Sequence, residues 1–285
     1  MQNLECTPNF FTQHAQHTLD VLNKLTDFPV PNSDNSIDIL GNLRQQMTML
    51  AEQDLLLLAK LHNMMMEGKY INVIEIVEKK YGQILTDYDT SAIDDETKYI
   101  YAWAKMTQLN KEWATLGKED LSYDNTVVQQ IFSCFEQLEK LQPTMYELYV
   151  NWGNRLSDLA CLEASLELYD KSSNKYHKAI NIQDDRAEAH SNLGKNLLEL
   201  AELKQDESYS EQALEQLLIA EKLDSKNIYN LACAYARLYQ LEDAKKKLMI
   251  CKESQTLPSK NHLLNDCDLI ALREDTWFND FILDL

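Results

Sequence analysis

Residues 131–143 read IFSCFEQLEKLQP, and their pattern of apolar, small and turn-forming residues returns as SSNKYHKAINIQD at 172–184 and as ALEQLLIAEKLDS at 213–225. The three stretches begin 41 positions apart, since 172 − 131 and 213 − 172 both equal 41. Self-similarity at a fixed period of this size predicts structural units that are stacked side by side. Such units cannot bury their apolar faces alone, so each one packs on its neighbours.

A second set of residues has the same period. Its four positions are bulky or small in both copies: Tyr149, Trp152, Gly153 and Leu156, then His190, Leu193, Gly194 and Leu197. The spacing places each set on one face of a helix, and a small residue lets two helix axes approach to about 8–10 Å. The chain has only 6 Gly and 5 Pro among 285 residues and no sustained strand-like alternation. We therefore predict an all-α protein with short turns.

The helical periodicity also predicts where the elements lie. From residue 96 onwards we expect helices at about 96–115, 125–141, 145–165, 167–182, 186–204, 208–222, 227–238, 241–253 and 262–272. Before them, Phe10–Leu25, Ser36–Met66 and Tyr70–Tyr81 also favour helix, with a linker at Asp27–Asn35. The apolar run Leu55–Met66 is too short and too polar to span a membrane, so we expect a buried helix there.

The repeated pattern resembles the tetratricopeptide repeat, a helix–turn–helix unit of about 34 residues. The best match runs through Ile228, Leu231, Ala232 and Tyr235 and then Ala244, Leu248 and Cys251. The two earlier units are longer by about two helical turns, which keeps every apolar face in phase. The segment Asp266–Phe281 resembles the closing segment of some bacterial arrays. The resemblance implies a right-handed α-solenoid at 91–285 with C-terminal capping helices, and a helical region at 1–90 that is either a degenerate repeat or a cap.

Charge and cysteine content narrow the classes of partner and compartment. A formal net charge of −19 argues against sequence-independent binding of nucleic acid and against docking on anionic lipid. The six cysteines include no CxxC pair, which favours reduced thiols. Residues 1–8 have neither the basic start nor the apolar run of a secretory signal. We therefore expect a cytoplasmic location.

The sequence contains few groups that could support catalysis. His14, His17 and Asp20 could share one helix face, but without a further ligand a hydrated face is the better interpretation. His190 occupies a packing position. No glycine-rich phosphate loop, HExxH, GxSxG or paired Cys–His motif occurs. We therefore predict no enzymatic activity, no catalytic residue, no cofactor and no metal.

The resemblance implies a binding surface on the first helices of the repeats. Carried over by position, the partner-binding residues are Asn154, Asn192, Lys195, Lys226, Tyr229, Asn230 and Arg237. One subfamily clamps a chaperone's C-terminal carboxylate with Lys and Asn side chains at such positions. Here Val150 and Asn230 replace two of the clamp's cations, which leaves a co-chaperone-like clamp incomplete.

The predicted function is that of a protein-interaction module, acting as an adaptor, scaffold or co-chaperone-like protein. A peptide or helix of another protein would lie in the concave groove, oriented by Asn and Lys side chains. Two alternatives stay open. The first is an enzyme, or an accessory subunit of one, whose site lies in the N-terminal region. The second is a scaffold that self-associates into homo-oligomers through an exposed repeat face.

Overall fold

The computed structural model describes residues 53–82, 93–225 and 228–285, and within these ranges the regular elements are all helices. The chain divides into two compact units, Met1–Leu109 and Asn110–Leu285. The division predicted after residue 90 falls within 83–92, outside the described residues. The helix predicted at Phe10–Leu25, the linker Asp27–Asn35 and the beginning of Ser36–Met66 also lie outside them.

The described part of the first unit begins with a helical hairpin. Helix α1 is described over 53–66, and α2 runs from Tyr70 to Tyr81 as predicted. Gly68 joins them with a φ of +71°, a left-handed conformation that favours glycine. The expectation of a buried helix holds for one face of α1 only, because Leu61 is buried whereas Leu56 is 69% exposed. Within the described ranges, none of the helices combines the length and apolar character that a bilayer-spanning segment requires.

Helix α3 runs from Asp95 to Thr115 and includes the boundary between the two units. Asp94 precedes it, and its carboxylate accepts hydrogen bonds from the Thr97 backbone N–H at 2.8 Å and from the Thr97 hydroxyl at 2.7 Å. A carboxylate that satisfies free N–H groups in this position stabilises the start of a helix. The helix predicted at about 96–115 is therefore confirmed.

The second unit continues with helices whose bounds lie within a few residues of those predicted. They are α4 Thr126–Leu141, α5 Tyr146–Glu163, α6 Leu166–Ile182, α7 Ala187–Lys204, α8 Ser208–Leu223, α9 Tyr229–Arg237 and α10 Leu241–Glu253. The most extensive packing joins α5 to α6, α7 to α8 and α9 to α10, and each hairpin also packs on the next. The predicted alternation of helices is therefore confirmed.

The 41-residue period has a local structural basis. The turns of the first two hairpins place Ala164 and Gln205, 41 positions apart, in the left-handed region with φ of 48° and 53°. Helices α4, α6 and α8 are followed by Gln142, Gln183 and Asp224. Each of these residues donates its backbone N–H to the carbonyl of the residue four positions earlier. Equivalent residues therefore have equivalent backbone geometry in successive units.

The two glycines of the period lie where the helices of a hairpin approach each other closely. A Cβ on Gly153 would lie 2.5 Å from the Tyr176 ring, and one on Gly194 would lie 2.5 Å from Leu217 Cγ. The Ser172 hydroxyl also donates to the Gly153 carbonyl at 2.9 Å. Glycine is therefore needed at these positions for space, as the sequence pattern predicts.

The C-terminal segment differs from the single helix predicted at 262–272. Helix α11 covers Lys260–Asn265, a 3₁₀ turn covers Cys267–Leu269, α12 covers Ile270–Arg273 and α13 covers Thr276–Leu283. The break lies at Asp266, whose backbone is extended with ψ of 117°. Its carboxylate accepts the Asp268 N–H at 2.9 Å, and such a cap competes with continuation of the helix. The prediction of one uninterrupted helix was therefore wrong.

Candidate functional site

Two of the predicted partner-binding residues form a hydrogen-bonded pair across adjacent first helices. The side-chain amide of Asn192 on α7 donates from Nδ2 to Oδ1 of Asn154 on α5 at 2.9 Å. The Tyr176 hydroxyl donates to the same oxygen at 2.9 Å. Both amides are half-buried. The two hydrogen bonds hold the amides against each other, and the tyrosine that contributes one of them is itself 98% buried.

Charged groups lie beside this amide pair. Lys195, a further predicted residue, is exposed one turn after Asn192 on α7. On α5, Arg155 pairs with Asp158 at 3.1 Å and lies 5.4 Å from the Trp113 ring. Burial raises the pKa of Asp158, while the charges of Arg155 and Lys195 lower it. We define the amide surface as Asn154, Asn192 and Lys195, with Arg155 and Asp158 as its charged neighbours.

The predicted residues of α9 have a different environment. The Tyr229 hydroxyl donates to Asp266 Oδ2 at 2.6 Å. Arg237, only 9% exposed, donates to Glu202 at 2.8 Å, to Asp268 at 3.0 Å and to the Ser210 hydroxyl at 3.2 Å. Asn230 is half-buried on the same helix, and Lys226 lies outside the described residues. Two of the predicted contacts are thus occupied by the chain's own C-terminal segment.

The clamp that the resemblance implies has no polar group at its first position. Val150 is 2% exposed and packs in an apolar cluster with Tyr146, Tyr149 and Ala179. Arg237, one candidate for a replacement cation, is already paired with three carboxylates, those of Glu202, Glu207 and Asp268. Lys195 is the other candidate, and it is exposed.

Among the described residues, Cys233, Asp266 and Asp268 could together offer ligand atoms to a metal, since these atoms lie within 4.8 Å of one another. The same groups already bond within the protein. Asp266 Oδ2 accepts from Tyr229 and from the Cys233 thiol, the latter at 3.8 Å. Burial and the two carboxylates raise the pKa of Cys233, which disfavours the thiolate that metals bind. We interpret the cluster as the attachment of the C-terminal segment to α9. The His14, His17 and Asp20 trio lies outside the described residues.

This cluster predicts a pH dependence of stability. Burial, with Asp266 nearby, raises the pKa of Asp268 to about 6, whereas an unfolded aspartate has a value of about 4. The folded state therefore retains a proton that the unfolded state releases. The contribution is fully present below about pH 4 and is lost as pH rises through about 6. We expect wild type to gain about 2 kcal/mol relative to Asp268→Asn between pH 7 and pH 4.5.

Urea unfolding of both proteins across this pH range measures the effect. The exposed carboxylate substitution Asp124→Asn is the control, because Asp124 lies far along the chain from the cluster. Other titrating groups are common to wild type and variant, so the difference between them isolates Asp268. A stability difference that stays constant from pH 7 to pH 4.5 would show that the environment of Asp268 is not as described.

A second surface was not anticipated from the sequence. A groove of about 630 Å³ is formed by residues of α4, α5, α6 and the preceding loop: Tyr123, Phe132, Glu136, Trp152, Leu156, Lys171, Asn174, Lys175, His177, Lys178 and Asn181. We call it the lysine groove. None of the predicted partner-binding residues lines it. The available signal was the spacing of Lys171, Lys175 and Lys178, which places three cations on one face of α6 in an acidic chain.

Comparison with known proteins does not assign the chain to a family. No family model matches the chain, and no curated protein matches it. The case for a function therefore depends on the residues of the amide surface and the groove.

Proposed function

We propose that this chain is a protein-interaction module that binds an extended segment of another protein on the amide surface of its first helices. The proposal includes the tetratricopeptide-like solenoid, in which the hairpins α5–α6, α7–α8 and α9–α10 stack with a right-handed twist. Repeat units that pack only on their neighbours leave a continuous surface, which suits the recognition of another polypeptide. A cytoplasmic location remains part of the proposal.

The observation that carries this proposal is the orientation of the Asn154–Asn192 pair. The oxygen of Asn154 accepts two hydrogen bonds, so its NH₂ group is left to donate elsewhere. Asn192 uses its nitrogen in the pair, so its oxygen is left to accept. A donor on Asn154 beside an acceptor on Asn192 would match the C=O and N–H of a single peptide group. Lys195 would add attraction for a carboxylate of the same ligand.

The proposal retains only some of the predicted partner-binding residues. Tyr229 and Arg237 have partners in Asp266 and Asp268, so a ligand would have to displace them. Asn154, Asn192 and Lys195 need no such displacement. The alternatives, an enzymatic site in residues 1–90 and a self-associating scaffold, have no specific observation in their favour among the described residues.

A triple variant tests the amide surface. Asn154→Ala, Asn192→Ala and Lys195→Ala together should weaken binding of a recovered partner by about thirtyfold, because each lost hydrogen bond costs about 0.5–1.5 kcal/mol. The partner is first captured from host lysate with wild type, and its fragments are then titrated against purified proteins by calorimetry.

A matched control removes the same kinds of side chain at positions outside the amide surface. Gln129→Ala, Gln212→Ala and Lys222→Ala together also remove two amides and one lysine, all at exposed positions of α4 and α8. This variant should bind as wild type does. Circular dichroism establishes that both variants are folded, since Asn154→Ala also removes a partner of Tyr176. Equal affinity of wild type and the amide variant would count against the proposal.

A further inference from the structure

We propose that the lysine groove is a second docking site, for an acidic segment of a partner protein that carries apolar side chains between its carboxylates. This site goes beyond the proposed function, because it uses none of the residues of the amide surface. Its lining combines three lysines of α6 with aromatic residues of α4, α5 and the preceding loop. Each of the two proposed sites can therefore be disproved without affecting the other.

Charge complementarity is the first argument. The lining contains three ammonium groups and one carboxylate, that of Glu136, although the whole chain has a net charge of −19. Outside the lining, Glu139 pairs with Lys178 at 2.5 Å and with Lys175 at 3.4 Å. One carboxylate thus serves two ammonium groups. An incoming carboxylate would therefore give Lys175 and Lys178 an anionic partner that they need not share.

Lys171 could also exchange its present carboxylate partner for one of the ligand. Lys171 pairs with Glu167 at 2.7 Å, and the side chain of Glu167 is 77% exposed. Exposed ion pairs contribute little net stability, so a ligand carboxylate can replace Glu167 at small cost. Because Lys171, Lys175 and Lys178 are four and three positions apart, they form one row along α6. A segment with regularly spaced carboxylates would match this row.

Lys175 occupies the centre of that row. Its Nζ lies 3.1 Å from the centroid of the Trp152 ring, and its side chain is 15% exposed. Burial lowers the pKa of Lys175 to about 8, although Glu139 acts in the opposite direction. The ring face stabilises the cation only in part. A ligand carboxylate would give this half-buried ammonium a second anionic contact beside that of Glu139 at 3.4 Å.

The apolar part of the lining determines the class of ligand. Tyr123 is 38% exposed, and its ring stacks on Phe132 with centroids 5.7 Å apart. Trp152 and Leu156 complete the apolar lining. Tyrosine and tryptophan are among the side chains that carry most binding energy in protein interfaces, which favours a polypeptide ligand.

The experiment uses the full chain and a defined probe. The probe is a capped synthetic peptide of glutamate with leucine and phenylalanine at helical spacing, titrated by fluorescence anisotropy. The double variant Lys175→Gln/Lys178→Gln should bind it about tenfold more weakly than wild type does. The control Lys222→Gln/Lys246→Gln changes net charge equally at exposed positions outside the groove, and it should bind as wild type does.

A further variant distinguishes a loss of binding from a loss of folding. Asn174→Glu adds a carboxylate at an exposed groove position, where no side-chain bond is lost, and should also weaken binding about tenfold. Absence of probe binding by wild type would overturn the proposal. So would equal weakening by the groove and control variants, which would indicate non-specific attraction. Tighter binding of a single-stranded oligonucleotide than of the peptide would overturn the ligand class.

Discussion

Arg237→Met is expected to lower the free energy of unfolding by about 3 kcal/mol at neutral pH, because it leaves the largely buried Asp268 without its cation. Arg237 is 9% exposed and joins three parts of the chain: Glu202 on α7, Ser210 on α8 and Asp268 of the C-terminal segment. Loss of the cation removes the group that lowers the pKa of Asp268, which is left beside Asp266. Urea unfolding at pH 7 measures the change.

The same variant should be less damaging in acid. Asp268 has its pKa raised to about 6, so below that value it can take up a proton and no longer needs Arg237. The loss of stability in Arg237→Met should therefore shrink as pH falls from 7 to 5. Hydrogen exchange should also rise in residues 260–285, which lose their attachment to α9. Both expected results depend on the ion pair between Arg237 and Asp268.

Lys246→Met is the matched control. Lys246 pairs with Asp243 at 2.9 Å, but its side chain is 69% exposed, so removal of this ion pair should change stability little. Similar effects of the two substitutions would show that Arg237 is solvated and that the C-terminal segment does not depend on it. A further variant, Arg237→Met/Asp268→Leu, should recover part of the loss, because it removes both charges.

The helices and their period were predictable because they are encoded locally. Gly153 and Gly194, each 23 positions before the residue that it faces, indicate the crossing of two helices without knowledge of the rest of the chain. The turns at Ala164 and Gln205 repeat for the same reason. Helix bounds could therefore be stated within a few residues over most of the second unit.

The environment of the predicted binding residues was not predictable in the same way. Periodicity indicates that Tyr229 and Arg237 lie on one face of α9, but it does not indicate what covers that face. The cover is Asp266 and Asp268, which lie about 30 or more positions later and take this position only because the helix breaks at Asp266. The contact is non-local, and a pattern of 41 residues contains no information about it.

The lysine groove was missed for a related reason. Trp152 was interpreted as a packing residue, and it is indeed 6% exposed. Its ring face is nevertheless in contact with Lys175, 23 positions later, and this contact turns a packing residue into part of a surface. Lys171, Lys175 and Lys178 alone look like the solvated face of a helix. Only the neighbouring helix shows that they border a groove.

Gly153→Ala is expected to lower the free energy of unfolding by about 3 kcal/mol, although alanine has the higher helix propensity. The new methyl group would lie 2.5 Å from Cε1 of Tyr176. That ring cannot move aside cheaply, since it is 2% exposed and its hydroxyl is bonded to Asn154. Thermal and urea unfolding measure the loss.

A double-mutant cycle connects this loss to one contact. Tyr176→Ala alone creates a cavity and should destabilise the protein, whereas Gly153→Ala in that background meets no ring and should be neutral or stabilising. The cycle should therefore give a coupling of about 3 kcal/mol. Additive effects would mean that the two helices are further apart than described. The cycle thus tests the crossing of α5 and α6, on which the position of Asn154 in the amide surface depends.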